Sequence, residues 1–396
     1  MSIHISLDSL RQVLGTKTFL GTALAEAIML PTDSEFVVVD GKTKEEISRN
    51  TAPNAVLQNL INAGTYKHIH VLKGTYDFGK NTVGAEDVDS YVITGSGRGI
   101  NSVIQDGGLW FHGVTKNASL ITLRDLAFYN TDKTLTAIDL LRPDNVTLEN
   151  LRIRGYNIGI LIDVTNGGMD NVILNTYLHE NNVGLKIVGE YSPALKVIGC
   201  RITDNTTNIQ IGSDTQPAPW NVKFIGCDIE VGKIVLDGRG AYRDIRDISI
   251  VSSYFEAVTM DIYANPSVTL SLIDNYIETG NPLIINVHQG NVWLMLLNRH
   301  AKINVNVDSG ATLIIHSIDF GYHQSVFGLG SDYVGTQIIK GTINGTLKIL
   351  PRATLPYVTS LPSSADHEGT ALFYYDGTNY YIAVWDGSTW RKVQLT

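Results

Sequence analysis

The sequence predicts an all-β protein whose short parallel strands wind into a single-stranded β-helix, with a short helix before the coils and a small β meander after them. Similar segments return every 22 to 27 residues along the chain, and most are followed by a second short strand. Composition agrees with this, because 37 glycines among 396 residues, with 43% hydrophobic and 17% charged residues, indicate a folded chain rich in turns and strands.

The repeats share one pattern, in which alternating apolar residues are followed by a small or polar residue and a second apolar pair. The first strands lie in residues 121–128, 146–153, 171–178, 195–202, 222–229, 248–255 and 270–277, and second strands lie in 157–164, 182–189, 207–214 and 281–288. Two or three short strands per repeat, bent by Asn, Gly and Asp, describe one coil of a parallel β-helix. A leucine-rich repeat would need a strict leucine framework, and a propeller would need a longer period.

The positions of the two cysteines test the alignment of one repeat with the next. Adjacent coils lie about 4.8 Å apart, so equivalent residues stack into columns. Cys200 and Cys227 occupy one such column, together with Leu126, Leu151, Ser253 and Asn275. We expect two small buried residues stacked in the core, since a pair of cysteines cannot form a multi-bridge framework or a four-ligand metal site. A disulfide or redox pair is the alternative.

One short helix is predicted before the coils. Residues 51–64 carry Thr51 and Pro53 as start signals and Gly64 as a stop signal, and Val56, Leu57, Leu60 and Ile61 form an apolar face between them.

After this helix come a strand ending in "GTY" (74–76) and another ending in "GSGRG" (95–99). With these features the chain resembles the pectate-lyase-like superfamily of right-handed parallel β-helices, over roughly residues 35 to 350, and in particular phage tail spikes and polysaccharide depolymerases. The resemblance implies a right-handed helix closed by a capping helix. It says less about the reaction, because the motif sets of polygalacturonases and pectate lyases are mostly missing: "NTD" at 130–132 and "LRPD" at 141–144 are isolated fragments.

The two ends differ in character from the coils. Residues 1–34 include two helical-looking stretches, 6–15 and 22–30, and are predicted to form an attachment or capping segment. In residues 351–396, two Asp-Gly turns at 376–377 and 386–387 separate three aromatic-rich strands, which predicts a small meander. Such a segment is similar to the C-terminal pieces of tail spikes and fibres, which implies either a cap on the last coil or a part in forming a homotrimer, the assembly we expect.

Several functions are disfavoured. The net charge of −9 has no compensating basic run, so we expect no nucleic-acid partner. No apolar run has the length of a membrane span, and the first ten residues lack a secretory pattern, so a virion tail or another extracellular setting reached by lysis is expected. The "GSGRG" turn lacks the spacing of a dinucleotide fingerprint, and His68 and His70 lack a third ligand, so neither a cofactor nor a metal is predicted.

The chemistry is predicted from "CDIE" (227–230), "SYFE" (253–256) and "NYIE" (275–278), which close equivalent strands of successive repeats. Strand alternation turns Asp228, Tyr254 and Tyr276 outward, and the three glutamates should stack in line with His179 and Arg154. The candidate catalytic residues are Glu230, Glu256 and Glu278, and the candidate substrate-binding residues are Asp228, Tyr254, Tyr276, Arg201, Tyr177 and His179.

Stacked carboxylates repel one another and raise at least one carboxyl pKa, and tyrosine rings beside them suit a sugar. The main hypothesis is a tail-spike-like depolymerase that hydrolyses a host or capsular polysaccharide with paired carboxylates, Glu256 being the best single candidate. One alternative is a non-catalytic adhesin or virion structural protein. A second is a polysaccharide lyase with Arg201 or His179 as base, and a third is that the strip is only the polar edge of a solvated sheet.

Overall fold

The computed structural model describes residues 25–317 except 33–34, 44, 98–100, 241–243, 279 and 298–301, together with 338–340, 346–351, 357–358, 361, 371–376, 378–386 and 388–394. Within these residues the chain forms a parallel β-helix of about nine turns, with one α-helix before it. The predicted fold class is confirmed.

Each coil contributes strands to three parallel sheets, numbered here in the order in which the chain visits them. Sheet 1 contains Ala27–Pro31, His68–Val71, Asp89–Gly95, Ala118–Arg124, Thr147–Glu149, Val172–Leu174, Leu195–Ile198, Val222–Ile225, Ile245–Val251, Thr312–Ser317 and Thr346–Pro351. Sheet 2 contains Gly74–Asp77, Ser102–Gln105, Ala127–Tyr129, Arg152–Arg154, Tyr177–His179, Arg201–Thr203 and Tyr276–Ile277. Sheet 3 contains Thr82–Glu86, Gly108–His112, Thr136–Leu141, Ile158–Asp163, Val183–Val188, Thr207–Gly212, Lys302–Val307 and Ile338–Lys340.

Three long strands turn the corners between sheets without a break. Asp228–Asp237 runs from sheet 2 into sheet 3, Tyr254–Ile273 runs through sheets 2, 3 and 1, and Leu283–Leu297 runs from sheet 3 into sheet 1. The short strand Pro143–Asp144 pairs with the start of Ala118–Arg124. The pairing between these strands places Asp228 beside Tyr254, and Tyr254 beside Tyr276.

The corner from sheet 1 to sheet 2 is made by a single residue in the left-handed conformation. The φ angle there is between 47° and 60° in seven successive coils, at Asp125, Asn150, Asn175, Gly199, Gly226, Ser252 and Asp274. Asn, Asp and Gly tolerate this region better than other residues do. The small or polar residue of the sequence repeat is therefore the residue that turns the chain towards the candidate site.

The interior is filled by columns of apolar side chains. In sheet 2 the inward column runs through Ile153, Leu178, Ile202, Ile229 and Phe255, each at most 1% exposed. Cys200 and Cys227 lie one residue before their sheet 2 strands, in adjacent coils, and both are buried free thiols. The predicted cysteine register is confirmed, and the disulfide alternative is wrong.

A helix, α1 (Pro53–Ala63), packs at the start of the coils and ends at Gly64 with φ of 66°. Its apolar face is buried as predicted, and Gln58 Nε2 donates a hydrogen bond to the carbonyl of Gly84 on sheet 3. The start differs by one residue, because Ala52 rather than Thr51 is the N-cap and its N–H bonds to Asn50 Oδ1.

The helical interpretation of residues 22–30 is wrong for the part that the structure describes. Ala27–Pro31 is a strand, paired antiparallel with Phe36–Asp40 and parallel with His68–Val71. Phe36–Asp40 pairs in turn with Glu46–Asn50. Residues 27–30 are at most 2% exposed, so burial between the strand's neighbours overrides the helix propensity of Ala, Met and Leu. The stretch 6–15 lies outside the described residues.

At the other end, Tyr357–Val358, Ala371–Tyr375, Tyr380–Trp385 and Trp390–Gln394 form a separate four-stranded sheet. The last three strands pair antiparallel, as a meander does. The division at residues 34 and 350 stays a prediction. In the described part of the chain, no helix is both long and apolar enough to cross a membrane.

Candidate functional site

The outward face of sheet 2 carries two parallel rows of side chains, which we call the sheet 2 strip. The first row is Arg152, Tyr177, Arg201, Asp228, Tyr254 and Tyr276, and the second is Arg154, His179, Thr203, Glu230 and Glu256. Glu278 follows the second row, and its N–H bonds to the carbonyl of Phe255. The predicted alignment is confirmed, with Thr203 as a member that sequence reasoning omitted. The roles of the residues stay predictions.

Asp228 and Glu230 form a carboxyl pair at the centre of the strip. Burial, then the charge of Glu230 and a hydrogen bond shared with it, raises the pKa of Asp228 to about 6. One oxygen, Asp228 Oδ1, is buried without a hydrogen-bond partner among the described residues unless the carboxyl itself is protonated. Asp228 therefore holds a proton that an ordinary aspartate has lost well below neutral pH.

Glu230 is the ionised member of the pair. Burial opposes its charge, but hydrogen bonds from Arg201 and Asp228 outweigh burial and hold the pKa of Glu230 below its usual value. Arg201 Nη2 donates to Glu230 Oε2 at 2.8 Å, and Arg201 Nε lies 3.6 Å from Asp228 Oδ2. Two carboxyls whose environments separate their pKa values are the usual arrangement for one proton donor beside one fixed anion.

Tyrosines and two further glutamates continue the strip from Asp228. Tyr254 and Tyr276 stack with ring centroids 5.7 Å apart, and Tyr276 is 48% exposed. The Tyr254 hydroxyl donates to Glu256 Oε2 at 3.2 Å, and loss of hydration together with this bond raises the pKa of Tyr254 to about 12. Glu278 accepts a hydrogen bond from Asn281 Nδ2. This half of the strip offers carboxylates beside exposed aromatic faces.

The opposite half of the strip is cationic and aromatic. Tyr177 and His179 stack at 4.2 Å, and the guanidiniums of Arg152 and Arg201 lie 5.6 and 5.5 Å from the Tyr177 ring. Burial, then the charge of Arg152, lowers the pKa of His179. Arg154 is paired with Glu180 at 2.7 Å. Positive charge thus lies on one side of Asp228 and negative charge on the other.

Two features were missed from the sequence. Asp228 was predicted to bind substrate because the glutamate repeat drew attention to Glu256, and the sequence did not indicate that burial and the charge of Glu230 raise the pKa of Asp228. Arg152 was left out, although the segment "LRIRG" (151–155) places it in the same row as Tyr177, one coil earlier. The repeat spacing would have found Arg152, whereas no sequence signal shows which of the two carboxyls has the higher pKa.

The other candidate constellation, His68 and His70, shares a face as predicted. Both imidazoles lie against the Thr94 hydroxyl, at 3.4 and 2.8 Å, and burial lowers the pKa of His70 to about 4. Among the residues that the structure describes, no group of three or more His, Cys, Asp and Glu side chains is placed to hold a metal ion.

Comparison with solved structures finds other proteins with similar backbones at low sequence identity. The Agl-KA catalytic domain is 13% identical over 75% of this chain and 64% of that domain, so this chain spans just under two thirds of it, with a TM-score of 0.42. The gp42 tailspike of Acinetobacter phage vb_AbaP_AS12 is 10% identical over 87% of this chain and 79% of that one, with a TM-score of 0.40. The A-module of mannuronan C-5 epimerase AlgE4 from Azotobacter vinelandii is 13% identical over 75% of this chain and 93% of that one, with a TM-score of 0.34.

At these identities the likeness concerns the backbone alone. No family model matches the chain, and no curated protein matches its sequence.

Proposed function

We propose that the protein is a glycoside hydrolase that cleaves a polysaccharide lying along sheet 2, with Asp228 as general acid and Glu256 as general base. The observation that supports this most is the Asp228 carboxyl, which is packed beside Glu230 with a pKa raised to about 6, in an acidic, aromatic and partly exposed strip. Glycosidases of most families need one carboxylic acid and one carboxylate flanking the bond that they cleave.

The spacing selects Glu256 as the partner of Asp228. Glu230 shares a hydrogen bond with Asp228, which leaves no room for a sugar carbon and a water between them. Glu256 lies one strand spacing across and two residues along, so its Cα is about 8 Å from that of Asp228. Carboxyls about 6.5–9.5 Å apart hold an attacking water between them and give inversion at the anomeric carbon.

In this mechanism Asp228 gives its proton to the glycosidic oxygen while Glu256 takes a proton from the water that attacks the anomeric carbon. Glu230 and Arg201 are positioning residues, because the fixed anion keeps the proton on Asp228. Tyr254 orients Glu256 through its hydroxyl. The stacked rings of Tyr254 and Tyr276 offer an apolar surface to a pyranose face.

The test is the release of new reducing ends from a panel of bacterial capsular and cell-surface polysaccharides. Asp228→Asn and Glu256→Gln should each lower the rate by a factor of about 100 to 10,000 with the fold intact by circular dichroism. Glu149→Gln, which removes a carboxylate from the outward face of sheet 1, should keep full activity. If both site variants cleave as fast as the parent, the hydrolase proposal is wrong.

Pairs drawn from the three predicted glutamates would give different outcomes in the same assay. A Glu230–Glu256 or Glu256–Glu278 pair, one strand spacing or about 5 Å apart, would give retention and would leave Asp228→Asn active. A Glu230–Glu278 pair, at about 9–10 Å, would give inversion but would make Glu278→Gln inactive. The anomeric configuration of the first product, read by NMR, separates the retaining pairs from the inverting ones, and the activities of Asp228→Asn and Glu278→Gln separate the two inverting pairs.

The non-catalytic adhesin keeps the same strip as a binding surface only, and it predicts glycan binding without new reducing ends. The lyase alternative gains little support, because Arg201 is ion-paired with a raised pKa and His179 is buried and accepts a hydrogen bond from Arg152. A lyase would leave an ultraviolet-absorbing unsaturated product. The sequence resemblance to tail spikes favours a virion tail as the setting, with a host or capsular glycan as substrate or receptor.

A further inference from the structure

Arg152 differs from the other two arginines of the sheet 2 strip. Arg154 is ion-paired with Glu180 and Arg201 with Glu230, at 2.7 and 2.8 Å. Arg152 pairs with no carboxylate among the described residues. It is a guanidinium in a functional strip whose charge is not balanced by its neighbours.

Arg152 is nevertheless held in place. Its Nε donates to His179 Nε2 at 3.2 Å, and its guanidinium lies 5.9 and 5.6 Å from the rings of Tyr129 and Tyr177. The Nη1 and Nη2 atoms have no hydrogen-bond partner within the described chain and are not buried. A guanidinium with one fixed edge and two free terminal nitrogens matches the two oxygens of a carboxylate.

His179 does not cancel this charge. It accepts the bond from Arg152 through Nε2, so the neutral ring carries its proton on Nδ1, which faces Glu180 at 3.5 Å. Its lowered pKa keeps it neutral at pH 7. The positive charge of Arg152 is therefore available to a ligand.

We propose that the polysaccharide is anionic and that Arg152 binds the carboxylate of a uronic-acid type sugar a few units from the cleaved bond. This inference rests on the proposed function. Arg152 and Asp228 lie in one row, separated by Tyr177 and Arg201, so they are about 14 Å apart along the helix axis. The acidic half of the strip repels a charged sugar, which fixes the direction in which the chain lies.

The net negative charge of the chain bears on the binding of an anionic polymer. A net charge of −9 disfavours an anionic polymer unless a local cationic site is present. Arg152, flanked by aromatic rings on the flank of the β-helix, is such a site.

The experiment measures binding and cleavage separately. Polygalacturonate and hyaluronan, each with its carboxyl-reduced derivative, are titrated into the full chain by calorimetry and then assayed for reducing ends. For at least one acidic polymer we expect the parent to bind about 10- to 100-fold more tightly than it binds the reduced derivative, with the difference shrinking at high salt. Arg152→Gln should lose that difference, with KM rising more than kcat falls.

Arg246→Gln is the matched control, since it removes one exposed arginine at the start of a sheet 1 strand and should bind like the parent. Arg152→Lys keeps the positive charge but cannot donate two parallel hydrogen bonds as a guanidinium does. It should therefore recover only part of the preference for the acidic polymer over its reduced derivative. The comparison of acidic and reduced polymers in the parent needs no variant, so misfolding of Arg152→Gln would not spoil the test.

Equal binding of acidic and reduced polymers, or an unchanged preference in Arg152→Gln, would overturn the proposal. Carboxylate-dependent binding without any cleavage would support the role of Arg152 and contradict the hydrolase. Cleavage of neutral glycans alone would support the hydrolase and remove the role of Arg152.

Discussion

At the scale of single residues, the chemistry of the site comes from stacking. A β-helix repeats its side-chain positions about every 4.8 Å, so charged residues in successive coils are closer than most surface charges. Asp228 and Glu230 stand two residues apart on one strand, and Arg201 of the preceding coil pairs with Glu230. Burial and the charge of Glu230 raise the pKa of Asp228, whereas the bonds from Arg201 and Asp228 lower that of Glu230, so the two neighbouring carboxyls differ in pKa.

The first prediction follows from that division. A general acid acts only while protonated, so kcat/KM for a cleaved glycan should fall about tenfold per pH unit above pH 6, the raised pKa of Asp228. Arg201→Gln removes the cation that holds Glu230 ionised, so the proton should pass in part to Glu230 and the descending limb should move. An activity that stays flat from pH 6 to pH 9 would exclude Asp228 as the acid.

The sequence predicts which side chains of sheet 2 align in successive coils, but it does not predict the raised pKa of Asp228. The interval of 22 to 27 residues fixed which side chains stack, and that alignment of Arg154, His179, Glu230 and Glu256 is confirmed. The raised pKa of Asp228 depends first on burial of its carboxyl and then on the charge of Glu230 beside it, and the repeat spacing does not encode that burial. For residues 27–31 the sequence predicted the wrong element, because pairing with distant strands overrides the local helix propensity.

At the scale of secondary structure, the corners determine how tightly the coils stack. Gly226 lies at the corner between sheets 1 and 2 and has φ of 59°. A Cβ added at this position would have no other atom within 4 Å. Gly212 has φ of 76°, and a Cβ there would lie 2.1 Å from the carbonyl oxygen of Asp237 in the next coil. The two glycines share a conformation but differ in the space around them.

Gly226→Ala should therefore lower the free energy of unfolding by about 1 kcal/mol, the cost of a left-handed alanine. Gly226→Asn should cost less, because Asn150 and Asn175 already occupy equivalent positions. Gly212→Ala should cost about 3 kcal/mol or more, since the backbone of the next coil has to move. Urea unfolding of the three variants checks the order, and equal losses at both glycines would contradict it.

The corner between sheets 2 and 3 depends on a buried amide ladder. Asn205 is 3% exposed, its Nδ2 donates to the carbonyls of Leu178 and Thr203, and its Oδ1 accepts from the N–H of Asn181. Asn205→Leu leaves these backbone groups unsatisfied, so we expect a loss of about 3 kcal/mol in the free energy of unfolding. Asn182→Ala removes an exposed amide and is the control, with an expected loss under about 1 kcal/mol. A mild effect at Asn205 would mean that water replaces the amide.

At the scale of the whole molecule, one edge of the β-helix exposes large apolar side chains. Leu120, Met169, Tyr191 and Trp220 are 53, 54, 47 and 44% exposed. All four lie at the corner from sheet 3 to sheet 1, where Leu120, Asn145, Asp170, Ala194 and Asn221 have the left-handed conformation. The sheet 2 strip is on another face, so an assembly through this edge would leave the strip open to a long glycan.

Exposed apolar residues that gather on one edge over several coils are more often an interface than a solvated surface. We therefore expect the homotrimer implied by the resemblance to tail spikes, with a mass by light scattering of about 130 kDa, three times the 43.4 kDa of one chain. Trp220→Glu places a charge in the proposed interface and should shift the mass towards one chain while leaving strand content unchanged. Val231→Glu adds a charge at an apolar residue that is 48% exposed at the corner from sheet 2 to sheet 3, and should keep the parent's mass. A parent protein that scatters as a single chain at working concentration would remove the trimer, and the exposed edge would then need another partner.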